Sequence, residues 1–127
     1  MNKISITHFG NAHNQWLRSL DFYKGELRIL KTRLTEIAGK NTAADVMTKV
    51  EHFENQFKVQ TDNIDRMLHD INMNMTAIGK QAQSSSAGYV DGVLLVQHNE
   101  LNQKYRMEEK TINDLRHDFN DFAAAWM

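Results

Sequence analysis

The clearest periodic pattern in the chain lies in WLRSLDFYKGELRILKTRLTEI, residues 16–37. Large apolar residues recur there in unbroken, alternating steps of four and three. They are Trp16, Leu20, Tyr23, Leu27, Leu30, Leu34 and Ile37. A repeat of about 3.5 residues keeps one stripe of a helix, here called a seam, against a partner helix. The stretch therefore predicts a helix that packs in the manner of a coiled coil.

Two later segments carry the same spacing. The second seam comprises Ala43, Val46, Val50, Phe53, Phe57, Gln60, Ile64, Met67, Ile71, Asn74 and Ile78. The third comprises Leu94, His98, Leu101, Tyr105, Glu108, Ile112, Leu115, Phe119, Phe122 and Trp126. Gly39 and the small polar run at residues 84–88 separate the seams, because glycine and serine favour helix ends and loops.

These seams predict an all-α fold, an elongated up-down-up antiparallel three-helix bundle with left-handed coiled-coil packing. We expect helices at about residues 11–38, 42–81 and 88–126, which form a single domain over residues 11–127. Residues 1–10 are expected to be an extended N-terminal segment.

Composition narrows the function classes. The chain has 127 residues, no cysteine, no proline and a net charge of −1. Without cysteine there is no disulfide scaffold, thiolate metal site or cysteine catalysis, and a nearly neutral charge argues against general nucleic-acid binding. Apolar runs such as residues 93–96 are far shorter than the ~18–20 residues that span a bilayer. We expect a cytoplasmic protein with no cofactor, nucleic-acid partner or membrane partner.

Charge is distributed unevenly between the first and third helices. Residues 11–40 carry a net charge of +3, and residues 88–127 carry −3. This split predicts that flanking charges pair the two helices. The alternative interpretation is a basic groove for an anionic partner.

One end of the bundle has a predicted contact surface. If the first helix starts near residue 11, residues 70–98 form a two-helix tip that it does not cover. The tip is rich in apolar residues: Met73, Met75, Ile78, Val90, Val93, Leu94, Leu95 and Val96. Exposed apolar patches mark contact surfaces, so the tip predicts a homodimer or binding of an unidentified protein partner. The alternative is a cover formed by Ile4, Ile6 and Phe9 folding back.

Polar residues interrupt the seams at a few positions. Gln60 and Glu108 are expected to form one polar layer, hydrogen-bonded across the core, that sets the register. His13 and His98 are predicted to lie near the tip, where a metal or haem site with Glu100 nearby is one interpretation. Buried, partly hydrated histidines are the other interpretation.

Two short motifs resemble phosphoacceptor sequences. Residues 69–78, HDINMNMTAI, resemble the phosphoacceptor helix of sensor histidine kinases, and residues 116–120, RHDFN, look like the same box in a related subgroup. The resemblance implies His69 or His117 as phosphoacceptor, a role that needs an exposed imidazole beside a carboxylate. The proline that usually follows the histidine is absent, as is a glycine-rich nucleotide-binding segment. Ordinary surface histidines are the alternative.

A broader resemblance covers nearly the whole chain. Residues 16–24, WLRSLDFYK, residues 50–57, VEHFENQF, and the Trp126-Met127 end are similar to a group of short uncharacterised bacterial all-helical, coiled-coil-like proteins. This resemblance implies a stand-alone helical protein of the cytosol and transfers no site residues. We therefore expect a non-enzymatic interaction or scaffold protein. The alternatives are a histidine phosphotransfer module and a metal- or haem-binding bundle.

Overall fold

The chain folds into three long helices. The computed structural model describes residues 6–84 and 92–126, in which α1 spans Ile6–Lys40, α2 spans Ala44–Ser84 and α3 spans Gly92–Trp126. These ranges contain no strand, and each helix contacts both others. The predicted all-α three-helix bundle is confirmed. With a rise of 1.5 Å per residue, α2 is on the order of 60 Å long.

Helices α1 and α2 run in opposite directions. His13, near the start of α1, bonds to Asn74 of α2. Lys24, further along α1, pairs with Asp65, which precedes Asn74 in α2. Partner positions therefore descend along α2 as they ascend along α1, which defines an antiparallel pair.

Helix α3 runs in the same direction as α1. Trp16 stacks on Tyr105 with 6.1 Å between ring centroids, and Glu26 Oε2 lies 3.4 Å from Nη2 of Arg116. The later residue of α1 thus contacts the later residue of α3, so the two helices are parallel. Together with the antiparallel α2, this gives the up-down-up topology. The Glu26–Arg116 pair places the acidic residue on α1 and the basic residue on α3. The charge split predicts the reverse, a basic residue of α1 paired with an acidic residue of α3.

Burial follows the seams closely. Every seam residue of α1 from Trp16 to Ile37 is buried, as are the internal seam residues of the other two helices. Only terminal seam positions depart from the pattern: Ala43 and Trp126 are exposed, and Leu94 is half-buried. The alternating spacing of four and three thus marks the core correctly wherever a helix has neighbours on both sides.

The end of the core farthest from the tip is packed with aromatic rings. Phe53 meets Phe119 edge-on at 5.4 Å and Phe122 at 5.2 Å between centroids. Phe57 lies 5.4 Å from Phe119. Such pairs add about 0.5–1.5 kcal/mol each beyond the area they bury, so this end is stabilised by apolar contacts.

The predicted start of α1 is wrong. Residues 6–10 are helical, where an extended segment was expected. Phe9 is completely buried against Ile78, Leu94 and Leu95, and with His13 it continues the seam by steps of four and three toward the N-terminus. Burying a phenylalanine contributes about 1.5–3 kcal/mol, which outweighs the cost of about 1 kcal/mol for Gly10 within a helix.

The early start of α1 also changes the tip. Phe9 covers Ile78 as part of a continuous helix, and not by folding back as the alternative interpretation has it. Ile4 and the side chain of Ile6 lie outside the described residues. None of the helices in the described ranges contains a stretch apolar and long enough to cross a membrane.

Candidate functional site

Near the tip, polar side chains from all three helices meet inside the bundle. His13 of α1, Asn74 of α2 and His98 of α3 are each no more than five per cent exposed, and we call them the histidine layer. Nε2 of His13 lies 2.9 Å from Oδ1 of Asn74. The rings of Phe9 and Trp16 lie 4.3 and 4.8 Å from the ring of His98, centroid to centroid. Aromatic rings therefore flank the layer, and little of it is exposed to solvent.

These surroundings favour uncharged imidazoles. Burial lowers the pKa of His98 to about 4, and the positive charges of His13 and His8 act in the same direction. Burial also lowers the pKa of His13, although its hydrogen bond to Asn74 opposes the change. Within the described chain, Nδ1 of His98 has no hydrogen-bond partner. A proton added there at low pH would place a charge in a site where, among the described residues, no carboxylate acts on the pKa of His98.

The structure brings His13 and His98 together, with 5.3 Å between ring centroids. Glu100, the carboxylate considered with them, is exposed. No group of three or more histidine, cysteine, aspartate or glutamate side chains is arranged to hold a metal ion among the described residues. In the part of the chain that the structure describes, the pair thus offers two imidazoles without a third histidine, cysteine, aspartate or glutamate ligand.

A second buried polar layer lies further along the bundle. Gln60 of α2 and Glu108 of α3 are at most six per cent exposed, and we call them the glutamate layer. With its amide nitrogen turned toward the carboxylate, Gln60 donates to Oε2 and Oε1 of Glu108 at 2.8 and 3.0 Å. The two side chains meet as the seams predict, and their role in setting the register stays a prediction.

Burial raises the pKa of Glu108 to about 7. Near neutral pH the carboxyl group is therefore present in both protonation states. The ionised form accepts hydrogen bonds from the Gln60 amide nitrogen, and the neutral form donates to the Gln60 carbonyl oxygen once the amide turns over. Either state of Glu108 has a partner in Gln60.

The apolar tip is smaller than the sequence predicts. Met73, Val93 and Val96 are 60, 69 and 56% exposed, and we call these three residues the tip surface. Ile78 is buried beneath Phe9, so its assignment to the exposed tip is wrong. The remaining predicted members differ in position: Met75, Leu94 and Leu95 are half-buried, and Val90 lies outside the described residues.

A groove between α2 and α3 continues from the tip surface. Beside Val93 and Val96 lies an open cavity of about 700 Å³, which shares Gln97 and Glu100 with a second cavity of about 380 Å³. The second cavity shares Asp70 and Lys104 with a third of about 430 Å³ that extends to Thr111. The first cavity is lined by α3 residues alone, and the other two are lined by residues of both helices. We call this row of adjoining cavities the α2–α3 groove. Periodicity alone did not reveal it.

A different cavity bears on the basic groove considered for an anionic partner. It has a volume of about 500 Å³ and lies between α1 and α2. Basic and acidic side chains line it in equal number: Arg28, Lys31, Lys58, Glu51, Glu54 and Asp62. Its mixed charge does not match a site for an anion.

The two phosphoacceptor-like histidines do not converge. His69 is exposed on α2. His117 is exposed on α3, with Nε2 3.5 Å from Oδ2 of Asp121. An accessible imidazole beside a carboxylate is thus present at His117, although the carboxylate is one helical turn away and not the adjacent Asp118. Phosphotransfer at either histidine stays a prediction.

Comparison of the chain with protein-family models, with curated proteins and with solved structures found no match. The two buried layers, the tip surface and the α2–α3 groove are therefore the features from which a function can be argued.

Proposed function

We propose that the chain is a non-enzymatic helical interaction protein that presents the tip surface to a second copy of itself in the cytoplasm. The exposure of Met73, Val93 and Val96 supports this function. Burying one such side chain stabilises a complex by roughly 1.5–3 kcal/mol. Apolar side chains clustered at one end of a bundle are therefore most stable when a partner covers them.

The polar residues of the core support the same proposal. His13 bonds to Asn74, and Glu108 is engaged by Gln60. The side chains of both layers are at most six per cent exposed, although Asn74 and Glu108 line the α2–α3 groove. Their bonds hold helices to one another, which suits a rigid module for assembly.

Light scattering and sedimentation velocity test this function at micromolar concentrations. The wild-type chain is expected to be a dimer. Val93→Asp with Val96→Asp is expected to be a monomer, because two carboxylates would have to be buried in the interface. Both residues are exposed in the single chain, so circular dichroism should stay unchanged.

Phe22→Asp with Ile29→Asp is the matched control. These residues are 55 and 53% exposed on α1, away from the tip surface, so this variant should remain a dimer. A monomeric wild-type chain, or a dimer that survives the two substitutions at the tip surface, would contradict the proposal.

A further inference from the structure

Five titratable side chains line the α2–α3 groove: the buried Glu108, and four exposed ones that lie in a definite order. Moving away from the tip, Asp70 precedes Arg66 on α2, and Glu100 precedes Lys104 on α3. All four are exposed. Because α2 and α3 are antiparallel, the two acidic residues lie on the tip side of the two basic ones. The groove thus has an acidic section followed by a basic section.

The pairing of these four charges with oppositely charged side chains decides whether they are available to a partner. Among the residues that the structure describes, none of the four belongs to an ion pair within 4 Å. Within residues 6–84 and 92–126, Arg66 donates a hydrogen bond to the neutral amide oxygen of Asn63. The charges are therefore available to groups of opposite sign outside the chain.

Exposed apolar side chains flank both charged sections. The tip surface lies beyond the acidic section, and Met107, which is 71% exposed, lies beyond the basic section. From the tip onward the groove therefore reads apolar, acidic, basic, apolar. In the reverse direction the order is apolar, basic, acidic, apolar. A second copy laid on the groove in this reverse direction would therefore place basic residues opposite acidic ones and apolar residues opposite apolar ones.

A second copy matches this order in one orientation. A two-fold axis that crosses the groove at right angles to the helices, between the acidic and basic sections, lays α3 antiparallel on α3. Glu100 then faces Lys104 of the second copy, and Val96 approaches the second copy's Met107. An axis parallel to the helices would instead place Glu100 over Asp70, and like charges in contact oppose association.

We propose that the α2–α3 groove is the dimer interface, formed by two copies that pair antiparallel, acidic section on basic section. This inference rests on the proposed self-association and adds the surface and the orientation. The tip surface and Met107 supply the apolar ends of the interface, and the four charges select the orientation.

Charge reversal tests the orientation. Asp70→Lys with Glu100→Lys makes the groove uniformly basic, and Arg66→Glu with Lys104→Glu makes it uniformly acidic. Each variant alone should dimerise on the order of 100-fold more weakly than the wild type, because like charges then face each other. An equimolar mixture of the two should associate again as a heterodimer, which sedimentation velocity detects. The chain with all four reversals should regain the homodimer.

Asp118→Lys with Asp121→Lys is the control. It changes the net charge of the chain by the same amount as Asp70→Lys with Glu100→Lys, but both substitutions lie on α3 beyond the end of the groove at Thr111. The dimer should therefore stay intact. Circular dichroism verifies that each variant is folded.

The outcomes separate the two proposals. If the substitutions at Val93 and Val96 abolish the dimer while every charge variant remains dimeric, self-association stands and the groove orientation is wrong. If the basic and acidic variants are each monomeric but do not associate when mixed, the antiparallel pairing is wrong. If the wild-type chain is a monomer, both proposals fail.

Discussion

The histidine layer and the glutamate layer are buried to the same extent, yet they respond to pH in opposite directions. At His98, burial holds the pKa at about 4, so acid creates the buried charge. At Glu108, burial raises the pKa to about 7, so base creates it. The difference shows that a dry helical core disfavours charge of either sign. The tip end is therefore sensitive to acid and the middle of the bundle to alkali.

The sign of each effect follows from proton linkage. The pKa of His98 lies below its ordinary value of 6.5. Its contribution to stability is present above pH 6.5 and is lost as the pH falls toward 4. The pKa of Glu108 lies above its ordinary value of 4.5. Its contribution is present below pH 4.5 and is lost as the pH rises through 7. Between about pH 4 and pH 7, raising the pH therefore increases the contribution of His98 to the free energy of unfolding and decreases that of Glu108.

Removing the Phe9 ring, which covers the histidine layer, should give the largest change in the free energy of unfolding. Phe9→Ala removes a fully buried ring and should lower the free energy of unfolding by about 3–5 kcal/mol. Water would reach His98, so its pKa should rise toward 6.5. Urea unfolding measures the first effect, and an NMR titration of the imidazole measures the second.

Phe22→Ala is the control for Phe9→Ala, since Phe22 is exposed and its loss should change stability by no more than about 0.5 kcal/mol. An unchanged pKa of His98 in the Phe9 variant would show that Phe9 does not seal the layer.

Removing the charge of the glutamate layer should give the next largest effect. Glu108→Gln keeps the size of the side chain and its bond to Gln60, but it cannot ionise. The variant should be about 3 kcal/mol more stable than the wild type at pH 9 and nearly equal to it at pH 5, since 1 pKa unit corresponds to about 1.4 kcal/mol. Guanidinium unfolding at the two pH values measures the difference.

Glu109→Gln is the neighbouring control for Glu108→Gln, because Glu109 accepts hydrogen bonds from Tyr23 and Tyr105 at the edge of the core. Its substitution should not reproduce stabilisation that is confined to high pH. Equal gains at pH 5 and pH 9 for Glu108→Gln would contradict a buried charge as the cause.

Replacing the buried imidazole should have the smallest of the three effects. His98→Leu keeps an apolar contact with Phe9 and Trp16 and removes the group that acid charges. Relative to the wild type, the variant should gain about 2 kcal/mol at pH 4.5 compared with pH 7. Thermal unfolding across this range measures the gain.

His69→Leu, at an exposed site, should keep the pH profile of the wild type. If His98→Leu loses as much stability at low pH as the wild type does, the group whose protonation destabilises the protein lies outside the histidine layer.

Local pattern predicted the core well and the N-terminal end poorly. The seam from Trp16 to Ile37 needs only the geometry of one helix, and every member is buried. Phe9 belongs to the same seam, but Gly10 and the polar His13 interrupt the apolar pattern there. Phe9 is held by contacts with α2 and α3, which are distant in sequence. A seam extended through His13 would have revealed this earlier start.

Of the contacts in the two polar layers, one could be predicted from the sequence and one could not. Gln60 and Glu108 occupy seam positions of α2 and α3, and the structure brings the two side chains into contact. A short connection between antiparallel helices limits how far they can slide, so the loop position favours this pairing. His13 was assigned no partner on α2, although Asn74 stands in the second seam. The bond between them depends on the axial alignment of α1 and α2.

The sequence by itself determined that three amphipathic helices form and which stripe of each is buried, since 3.6 residues per turn project a repeat of 3.5 onto one face. Tertiary structure alone decided which positions meet across the helices. A seven-residue repeat looks the same after a shift of one heptad, so it leaves axial register undetermined. The aromatic rings beside His98, the cover over Ile78 and the charge order of the α2–α3 groove all depend on that register.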